Sequence, residues 1–222
     1  MQKLTLLFDG GHLFIDVERE LWLFDTGAST SFGDHEGIVF AGKEFSLNHN
    51  YMGLSAEKLS EFVGIKCAGL LGTDVLSKFD YIIDPSQNTL TVASDELSHD
   101  GQAIGLSEFM GIPIIKVQVS SMEYRMFFDT GAQISYFQDK SLTDFPACGM
   151  IKDFYPSVGQ FETDTYQVKV SFEGTIFDLR CGSLPELLAA PLMMTGTQGI
   201  VGNQILENRV IGYFPRRNIL CL

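Results

Sequence analysis

The sequence predicts a mainly β protein built from two related halves. Three observations support this prediction: an Asp-Thr-Gly motif that occurs twice, further motifs that repeat in the same order, and apolar residues that alternate at every second position around them. A period of two residues is that of a half-buried strand. The chain has 222 residues, of which 45% are hydrophobic, and this suffices for two small lobes that each have a core.

The first repeated motif is Asp-Thr-Gly-Ala after a run of large apolar residues. It reads FDTGAST at Phe24–Thr30 and FFDTGAQIS at Phe127–Ser135. One copy alone would be a weak signal, because short motifs occur by chance and an Asp at a strand end is often only a turn former. Two copies in the same apolar context indicate a duplicated functional element.

Three further motifs match between the halves. A Gly-aliphatic-aliphatic-Gly motif occurs as GLLGTDVL and GIVGNQIL, and a Pro-x-x-Asn-x-Leu motif occurs in DPSQNTLTV and FPRRNILCL. A weaker pair, VFAGKEFSL and VSFEGTIFDL, reads as strand, Gly turn and strand. The repeats predict a first lobe at residues 1–94, a polar linker at 95–103 and a second lobe at 104–222.

Short helices are predicted close to these motifs. Ala56–Val63 should form one helix with Ser55 as its cap, and Pro185–Ala190 a second with proline in the first turn. Further helices should begin near Thr73 and Asn203, whose side chains are able to cap a helix.

The second half is longer than the first, and the excess lies in one place. The chain runs 17 residues from Asp25 to Gly42 but 45 from Asp129 to the matching Gly174. About 28 residues, roughly 137–167, are therefore inserted in the second half. The stretch DFYPSVGQFETDTYQV within this insertion predicts a hairpin of two aromatic strands around a Pro-Ser-Val-Gly turn.

Composition restricts the partners. The net charge of −13 argues against nucleic acid and anionic membrane surfaces as partners, because both are negatively charged. No apolar stretch approaches the roughly 20 residues of a membrane-spanning helix. The first residues lack the apolar run and cleavage site of a signal peptide. We therefore expect a cytoplasmic protein with no nucleic-acid or membrane partner.

The cysteines and histidines predict no metal site. The cysteines lack Cys-x-x-Cys spacing and no histidine cluster lies near them, so we expect buried or half-buried thiols. The histidines are scattered among loop-like residues, and we expect all of them to be solvated. These residues are Cys67, Cys148, Cys181, Cys221, His12, His35, His49 and His99.

Two Asp residues brought together across an approximate two-fold axis have a definite chemistry. Two neighbouring carboxyls do not both ionise readily, because the like charges raise one pKa and lower the other. One carboxylate then acts as a base toward water while the protonated partner donates to a carbonyl oxygen. Such a pair hydrolyses an amide with neither a metal nor a covalent intermediate.

The duplicated Asp-Thr-Gly-Ala, followed in each half by the aliphatic-aliphatic-Gly motif, closely resembles the pepsin and retropepsin aspartic proteases. The run GTDVLSKFDYIIDPSQNTLTV is similar to the end of their lobes, and the resemblance covers nearly the whole chain. It implies a bilobal acid-protease fold in a minimal single-chain form, and hence a monomer. The family's catalytic aspartates fall on Asp25 and Asp129, its bracing threonines on Thr26 and Thr130, and its glycines on Gly27, Gly131, Gly72 and Gly202.

The sequence departs from many pepsin-like enzymes directly after each Asp-Thr-Gly. Ala28 and Ala132 stand where those enzymes have Ser or Thr, whose hydroxyl can donate to the catalytic carboxylate. A hydrogen bond to the ionised form lowers a pKa, so its absence predicts higher pKa values for the pair.

The family closes a β-hairpin flap over its substrate, and here the insertion assigns that flap to the second half. The first half has no room for one. The residues expected at the flap and the substrate are Tyr155, Val158, Gly159 and Phe161, with Tyr166 as a further aromatic candidate. Trp22, beside the first catalytic strand, is expected in the core.

The leading interpretation is an aspartic endopeptidase that acts on an extended peptide or protein substrate without a cofactor. Asp25 and Asp129 would activate the attacking water. One alternative is a non-catalytic peptide- or protein-binding module on the same fold. A second is a glycosidase, which also uses paired carboxyls but holds them farther apart.

Overall fold

The structure, a computed structural model, describes residues 1–138, 141–155, 159–185, 192 and 194–222. Within these residues the chain forms a ten-stranded sheet, an eight-stranded sheet and two two-stranded ribbons. The prediction of a mainly β protein is confirmed at this level. Alternating burial along the strands, as in Ile112–Val119, is the pattern expected of sheets that cover a core on one face.

The first half contributes eleven strands and two short α-helices to the described structure. The strands are β1 (Gln2–Asp9), β2 (His12–Val17), β3 (Glu20–Phe24), β4 (Phe32–Gly33), β5 (Gly37–Phe40), β6 (Lys43–Ser46), β7 (Asn50–Tyr51), β8 (Leu54–Ser55), β9 (Gly69–Leu71), β10 (Asp80–Asp84) and β11 (Thr89–Ala93). The helices are α1 (Ala56–Val63) and α2 (Thr73–Leu76).

The remainder of the described chain contributes eleven more strands. The two halves together contain four 3₁₀ turns among the described residues. The strands are β12 (Ala103–Gly105), β13 (Ser107–Phe109), β14 (Ile112–Val119), β15 (Met122–Phe128), β16 (Ser135–Phe137), β17 (Ala147–Tyr155), β18 (Gly159–Phe172), β19 (Thr175–Ser183), β20 (Gly199–Val201), β21 (Ile211–Phe214) and β22 (Ile219–Cys221). The 3₁₀ turns are Pro85–Gln87, Ser141–Asp144, Asn203–Leu206 and Pro215–Arg217.

The repeated motifs occupy equivalent places in the two halves. The strand that leads into each Asp-Thr-Gly pairs in parallel with the strand that the Gly-aliphatic-aliphatic-Gly motif of the same half forms. These pairs are β3 with β9 and β15 with β20. A short strand after each Asp-Thr-Gly, β4 or β16, then pairs antiparallel with the same partner. The duplication read from the sequence is therefore a duplication of structure.

The Pro-x-x-Asn motif forms the same turn in both halves. Each proline begins a 3₁₀ turn, and the asparagine ends it in a left-handed conformation, with φ of 51° at Asn88 and 54° at Asn218. Asn adopts that region more readily than most residues, which explains why it recurs at this position.

The largest sheet joins the two halves. Strand β10 of the first half pairs antiparallel with β21 of the second, and Tyr81 lies opposite Tyr213 with ring centroids 5.9 Å apart. The strand order is β12-β22-β21-β10-β11-β1-β2-β3-β9-β4. The sequence predicts two lobes, whereas the structure adds that the lobes share one continuous sheet.

A buried ion cluster fixes the segment between the halves. Asp80, with none of its surface exposed, accepts hydrogen bonds from Arg216 at 3.0 Å and Arg217 at 2.6 Å. The backbone N–H of Leu97 donates to the same carboxylate at 3.0 Å. Both arginines also donate to backbone carbonyls at Ser94, Asp95 and Leu97. The cluster therefore ties the linker to the C-terminal turn.

The predicted helices are partly confirmed. Helix α1 spans the predicted residues, with the Ser55 side chain accepting from Lys58 N, and it ends at Gly64 with φ of 73°. Turns do begin at Thr73 and Asn203, but the predicted capping by their side chains is wrong, because the cap positions are Gly72 and Gly202. The predicted helix at Pro185–Ala190 falls on 186–190, outside the described residues.

The long hairpin of the second half, β17 and β18 (Ala147–Phe172), is named the cleft hairpin here. Its strands pair antiparallel up to Tyr155 opposite Gly159, as the sequence predicted, and the tip at 156–158 lies outside the described residues. The prediction of buried or half-buried thiols is wrong for Cys148, which is exposed on this hairpin. No helix in the described part of the chain is long and apolar enough to cross a membrane.

Candidate active site

Asp25 and Asp129 each directly follow a strand of a parallel pair. The backbone N–H of Asp25 donates to Leu71 O at 3.0 Å, and that of Asp129 donates to Val201 O at 2.9 Å. Both residues are partly exposed at the floor of one cleft. The strand pairing thus fixes the backbone of each Asp and aims both side chains at the space between the halves.

Thr26 and Thr130 join the two Asp-Thr-Gly loops by four reciprocal hydrogen bonds. The Thr26 hydroxyl donates to Phe128 O at 2.7 Å, and the Thr130 hydroxyl donates to Phe24 O at 2.6 Å. Each hydroxyl also accepts from the other threonine's backbone N–H at 3.0 Å. Both threonines are fully buried, so these bonds are shielded from water.

We expect Thr26→Val to destabilise the protein by about 3 kcal/mol, because it leaves Thr130 N and Phe128 O buried without their partner. The melting temperature should fall by about 8 °C. Thr26→Ser is the matched control, since it keeps the hydroxyl, and it should lose much less. Equal losses in the two variants would show that the methyl group and not the hydroxyl matters at this position.

The motif glycines are required by close approach of the opposite loop. A Cβ added at Gly131 would lie 2.5 Å from Asp25 Oδ2, and one added at Gly27 would overlap the Asp129 carboxyl. Neither glycine has a positive φ, so a left-handed backbone conformation is not the reason. The absence of a side chain is what allows the two carboxyls to meet.

Gly72 and Gly202 also allow a close approach, in this case between the second motif and the Asp-Thr-Gly loop of the same half. A Cβ at Gly72 would lie 2.7 Å from Ala28 O, and one at Gly202 2.8 Å from Ala132 O. The next residue in each case donates its N–H to that same carbonyl, at 2.8 and 2.9 Å. The second motif therefore closes directly onto the catalytic loop of its own half.

Two serines that support these loops were missed from the sequence. The Ser31 hydroxyl accepts from Gly72 N at 2.8 Å, and the Ser135 hydroxyl accepts from Gly202 N at 3.2 Å. Each serine lies six residues after its Asp. A direct alignment of the two halves would have identified them.

The two carboxyls are in hydrogen-bonding contact with each other. The loop amides also bind them: Gly27 N and Ala28 N donate to Asp25 Oδ1 at 2.8 and 3.0 Å, and the equivalent bonds to Asp129 Oδ1 are 2.9 and 3.3 Å. Burial is the main cause that raises the pKa of both groups. The charge of Asp129 raises the pKa of Asp25 further, so the pair favours a state with one shared proton.

Apolar side chains line the cleft on both sides of the carboxyl pair. The first half supplies most of one cluster and the second half supplies another, and Phe154 of the second half packs against the first-half cluster. An apolar cleft with a few convergent polar groups is the usual form of a ligand site. The first-half residues are Leu23, Phe32, Leu54, Leu59 and Leu70, and the second-half residues are Tyr136, Leu184 and Ile200.

The cleft hairpin contributes only some of the aromatic residues predicted at the substrate. Tyr155 and Phe161 line the cleft, and Gly159 begins β18 with φ of 81°. Val158 lies outside the described residues. Tyr166 packs against the main core instead, and Trp22 is buried there as predicted.

The first half also lines the cleft with a small ribbon, which the sequence did not indicate. Tyr51 and Met52 lie at the turn of the small β7–β8 ribbon and line the cleft opposite the hairpin. The Tyr51 hydroxyl lies 3.0 Å from the Ser29 hydroxyl of the first catalytic loop. Such a short ribbon gives no clear alternation in the sequence, so no pattern predicted it.

His12 contradicts the prediction that all histidines are solvated. It is 1% exposed, at the start of β2, and its Nδ1 lies 3.2 Å from Gly131 O in the second catalytic loop. The hairpin of β1 and β2 carries this residue from the first half onto the second, a contact 119 residues apart in sequence. Burial lowers the pKa of His12, opposed by the nearby charge of Asp153.

Comparisons with known proteins identify no family for this chain. Neither a scan against protein-family models nor a search of curated proteins finds a match.

Proposed function

We propose that this chain is an aspartic endopeptidase with a pepsin- or retropepsin-like fold. The observation that supports the proposal best is the pair of contacting carboxyls of Asp25 and Asp129 at the floor of an apolar cleft. The pair belongs to two equivalent loops that are tied together by reciprocal threonine bonds. A purely structural Asp turn requires neither the contact between the carboxyls nor their position in a cleft.

The reaction follows from one shared proton. The ionised carboxyl accepts a proton from a water molecule, whose oxygen attacks the peptide carbonyl carbon. The protonated carboxyl donates its proton to the carbonyl oxygen, which gives a neutral tetrahedral diol. Transfer of a proton to the amide nitrogen then breaks the C–N bond and releases an amine and a carboxylic acid. No metal or covalent intermediate is needed in this scheme.

The cleft suits an extended peptide. Apolar clusters on both sides of the carboxyl pair would accept apolar side chains that flank the scissile bond. The cleft hairpin offers backbone groups for strand-like pairing with the substrate, as in other modes of β-strand addition. The contact between the carboxyls argues against a glycosidase, whose acids are held roughly 5 Å or more apart.

A peptide library incubated with the protein from about pH 3 to 8 tests the proposal. We expect cleavage between apolar residues that is blocked by a transition-state-mimic inhibitor of aspartic proteases and absent in Asp25→Asn. Binding of peptides without turnover at any pH would instead support the non-catalytic binding module. The same outcome would overturn the proposed enzyme.

The raised pKa values predict a pH optimum that is only weakly acidic. Both limbs of the rate profile move to higher pH when both pKa values are raised, so we expect the optimum at weakly acidic pH and not in the strongly acidic range. Ala132→Ser should move it downward, because the added hydroxyl can donate to the Asp129 carboxylate and lower its pKa. An optimum near pH 2 in the wild type, or an upward shift in Ala132→Ser, would contradict this account.

A further inference from the structure

The cleft hairpin carries a buried carboxyl that the proposed reaction does not use. Asp153, near the end of β17, is 7% exposed and lines the cleft. Its Oδ1 accepts from the N–H of Phe154 at 2.8 Å, and its Oδ2 accepts from the hydroxyl of Tyr136. A buried carboxyl is costly unless it is paired and hydrogen-bonded. The bond from Phe154 lies within the hairpin, so the bond from Tyr136 is the one that holds the hairpin at this position.

The donor to Asp153 Oδ2 is Tyr136, which belongs to the second half but lies outside the hairpin. It lies on β16, 2% exposed, seven residues after Asp129. The residue seven positions after Asp25 is Phe32, which has no hydroxyl. The hydroxyl thus occurs only in the half that has the long hairpin, and the duplicated scaffold alone does not require it.

His12, which belongs to the first half, packs against the end of the cleft hairpin next to Asp153. Its Nδ1 donates to Gly131 O, and the amide of Gln133 donates to its Nε2 at 2.9 Å, so this network contains the neutral ring. The ring centroid lies 6.1 Å from that of Phe154. His12 therefore connects the catalytic loop of Asp129 to the end of the hairpin.

The hairpin end also contacts the far side of the cleft. Phe154 packs on Phe62 of helix α1 with ring centroids 4.9 Å apart. The space left beneath is about 150 Å³, which is small beside the roughly 300 Å³ or more of typical ligand pockets. An extended peptide needs more space than this, so its binding would require this end of the hairpin to move.

We propose that Tyr136 and Asp153 form a clasp that positions the cleft hairpin over Asp129 during catalysis. This inference rests on the proposed peptidase function, because it assigns positioning residues to that site. Each substrate binding event would open the clasp, and the clasp would close again over the bound peptide.

The charged and titratable groups near Asp153 also predict an effect on the pH dependence of the reaction. They are Tyr136 on β16, His12 on β2 and Asp129 on the catalytic loop. The charge of Asp153 disfavours ionisation of Asp129 and raises its pKa. Removal of that charge should therefore lower the pKa of Asp129 and move the acidic limb of the rate profile to lower pH.

Two variants separate the effect of the hydrogen bond between Tyr136 and Asp153 from the effect of the Asp153 charge. Tyr136→Phe removes the bond and keeps the carboxyl, whereas Asp153→Asn removes the charge and disturbs the bond. We expect each to raise KM for a peptide about 10-fold, and the double variant to be no worse than either single one, because both break the same contact. Burial raises the pKa of Asp153 and the bond from Tyr136 lowers it, so Tyr136→Phe also weakens the charge. Asp153→Asn should therefore move the acidic limb to lower pH at least as far as Tyr136→Phe does.

Matched controls and a second measurement make the test decisive. Tyr166→Phe and Asp164→Asn alter the same residue types elsewhere on the hairpin and should leave KM and the pH profile unchanged. Hydrogen exchange at the amides of 150–155 and 159–164 should be faster in both clasp variants, whether or not the protein cleaves peptides. Unchanged exchange, additive effects or a higher kcat/KM would each overturn the clasp, whereas absence of hydrolysis in the wild type would overturn only the proposed function.

Discussion

We expect Asp25→Asn to lower kcat/KM for peptide hydrolysis by at least about 1,000-fold, and Asp129→Asn to do the same. Asparagine cannot give or take the shared proton, so the remaining carboxyl has no acid–base partner. Steady-state kinetics on a peptide found in the library assay measures both losses. Retention of more than a tenth of the activity in either variant would exclude the two-carboxyl mechanism.

The same variants should be folded, and their stability provides the control. The pKa of each carboxyl is raised by folding, so wild-type stability is full below the pKa of the unfolded chain and falls as the pH rises through the folded pKa. Asp25→Asn removes the part of that loss that comes from Asp25, and Asp129 retains its own part because burial raises its pKa. The melting temperature of this variant should exceed the wild-type value by about 3 °C at pH 7 and match it near pH 3. A lower value at pH 7 would indicate damage to the fold, and the lost activity would then be uninformative.

The second large effect is expected at Asp80, which does not line the cleft. Asp80→Ala leaves the guanidinium groups of Arg216 and Arg217 without their buried carboxylate, and removing one partner of a buried ion cluster costs about 4 kcal/mol. The melting temperature should fall by about 12 °C. Because the cluster ties the linker to the C-terminal turn, the linker should also become more sensitive to proteolysis.

A surface ion pair is the matched comparison for Asp80. Lys116 and Glu123 lie 3.0 Å apart with 61% of each side chain exposed. Glu123→Gln should leave the melting temperature unchanged, since exposed pairs contribute little. If Asp80→Ala proved equally neutral, the buried cluster would have no role in joining the two halves.

Local patterns were sufficient for the duplicated part of the fold. The two Asp-Thr-Gly motifs, helix α1 with its Ser55 cap and the cleft hairpin were all read from spacing and alternation, and the structure contains each element. These features depend on residues close together in sequence. The position of the hairpin also followed from a length difference between the halves, which is read from the sequence without any tertiary contact.

The meeting of the two halves could be predicted only in outline. Symmetry suggested that Asp25 and Asp129 approach each other, but no local pattern showed how closely. The opposite carboxyl approaches Gly27 and Gly131 so closely that a side chain at either position would overlap it. That requirement exists only once both loops are in place.

The sequence by itself determined the duplicated β scaffold, its two aspartates and the hairpin inserted in the second half. The tertiary structure alone decided that β10 and β21 form one sheet, that His12 is buried against the opposite catalytic loop, and that Tyr136 bonds Asp153. Each of these contacts joins residues from separate strands, and its energy comes from burial that neither strand has alone. A residue pattern along one strand contains no information about partners on other strands. For this reason the prediction that His12 is a solvated loop residue was wrong.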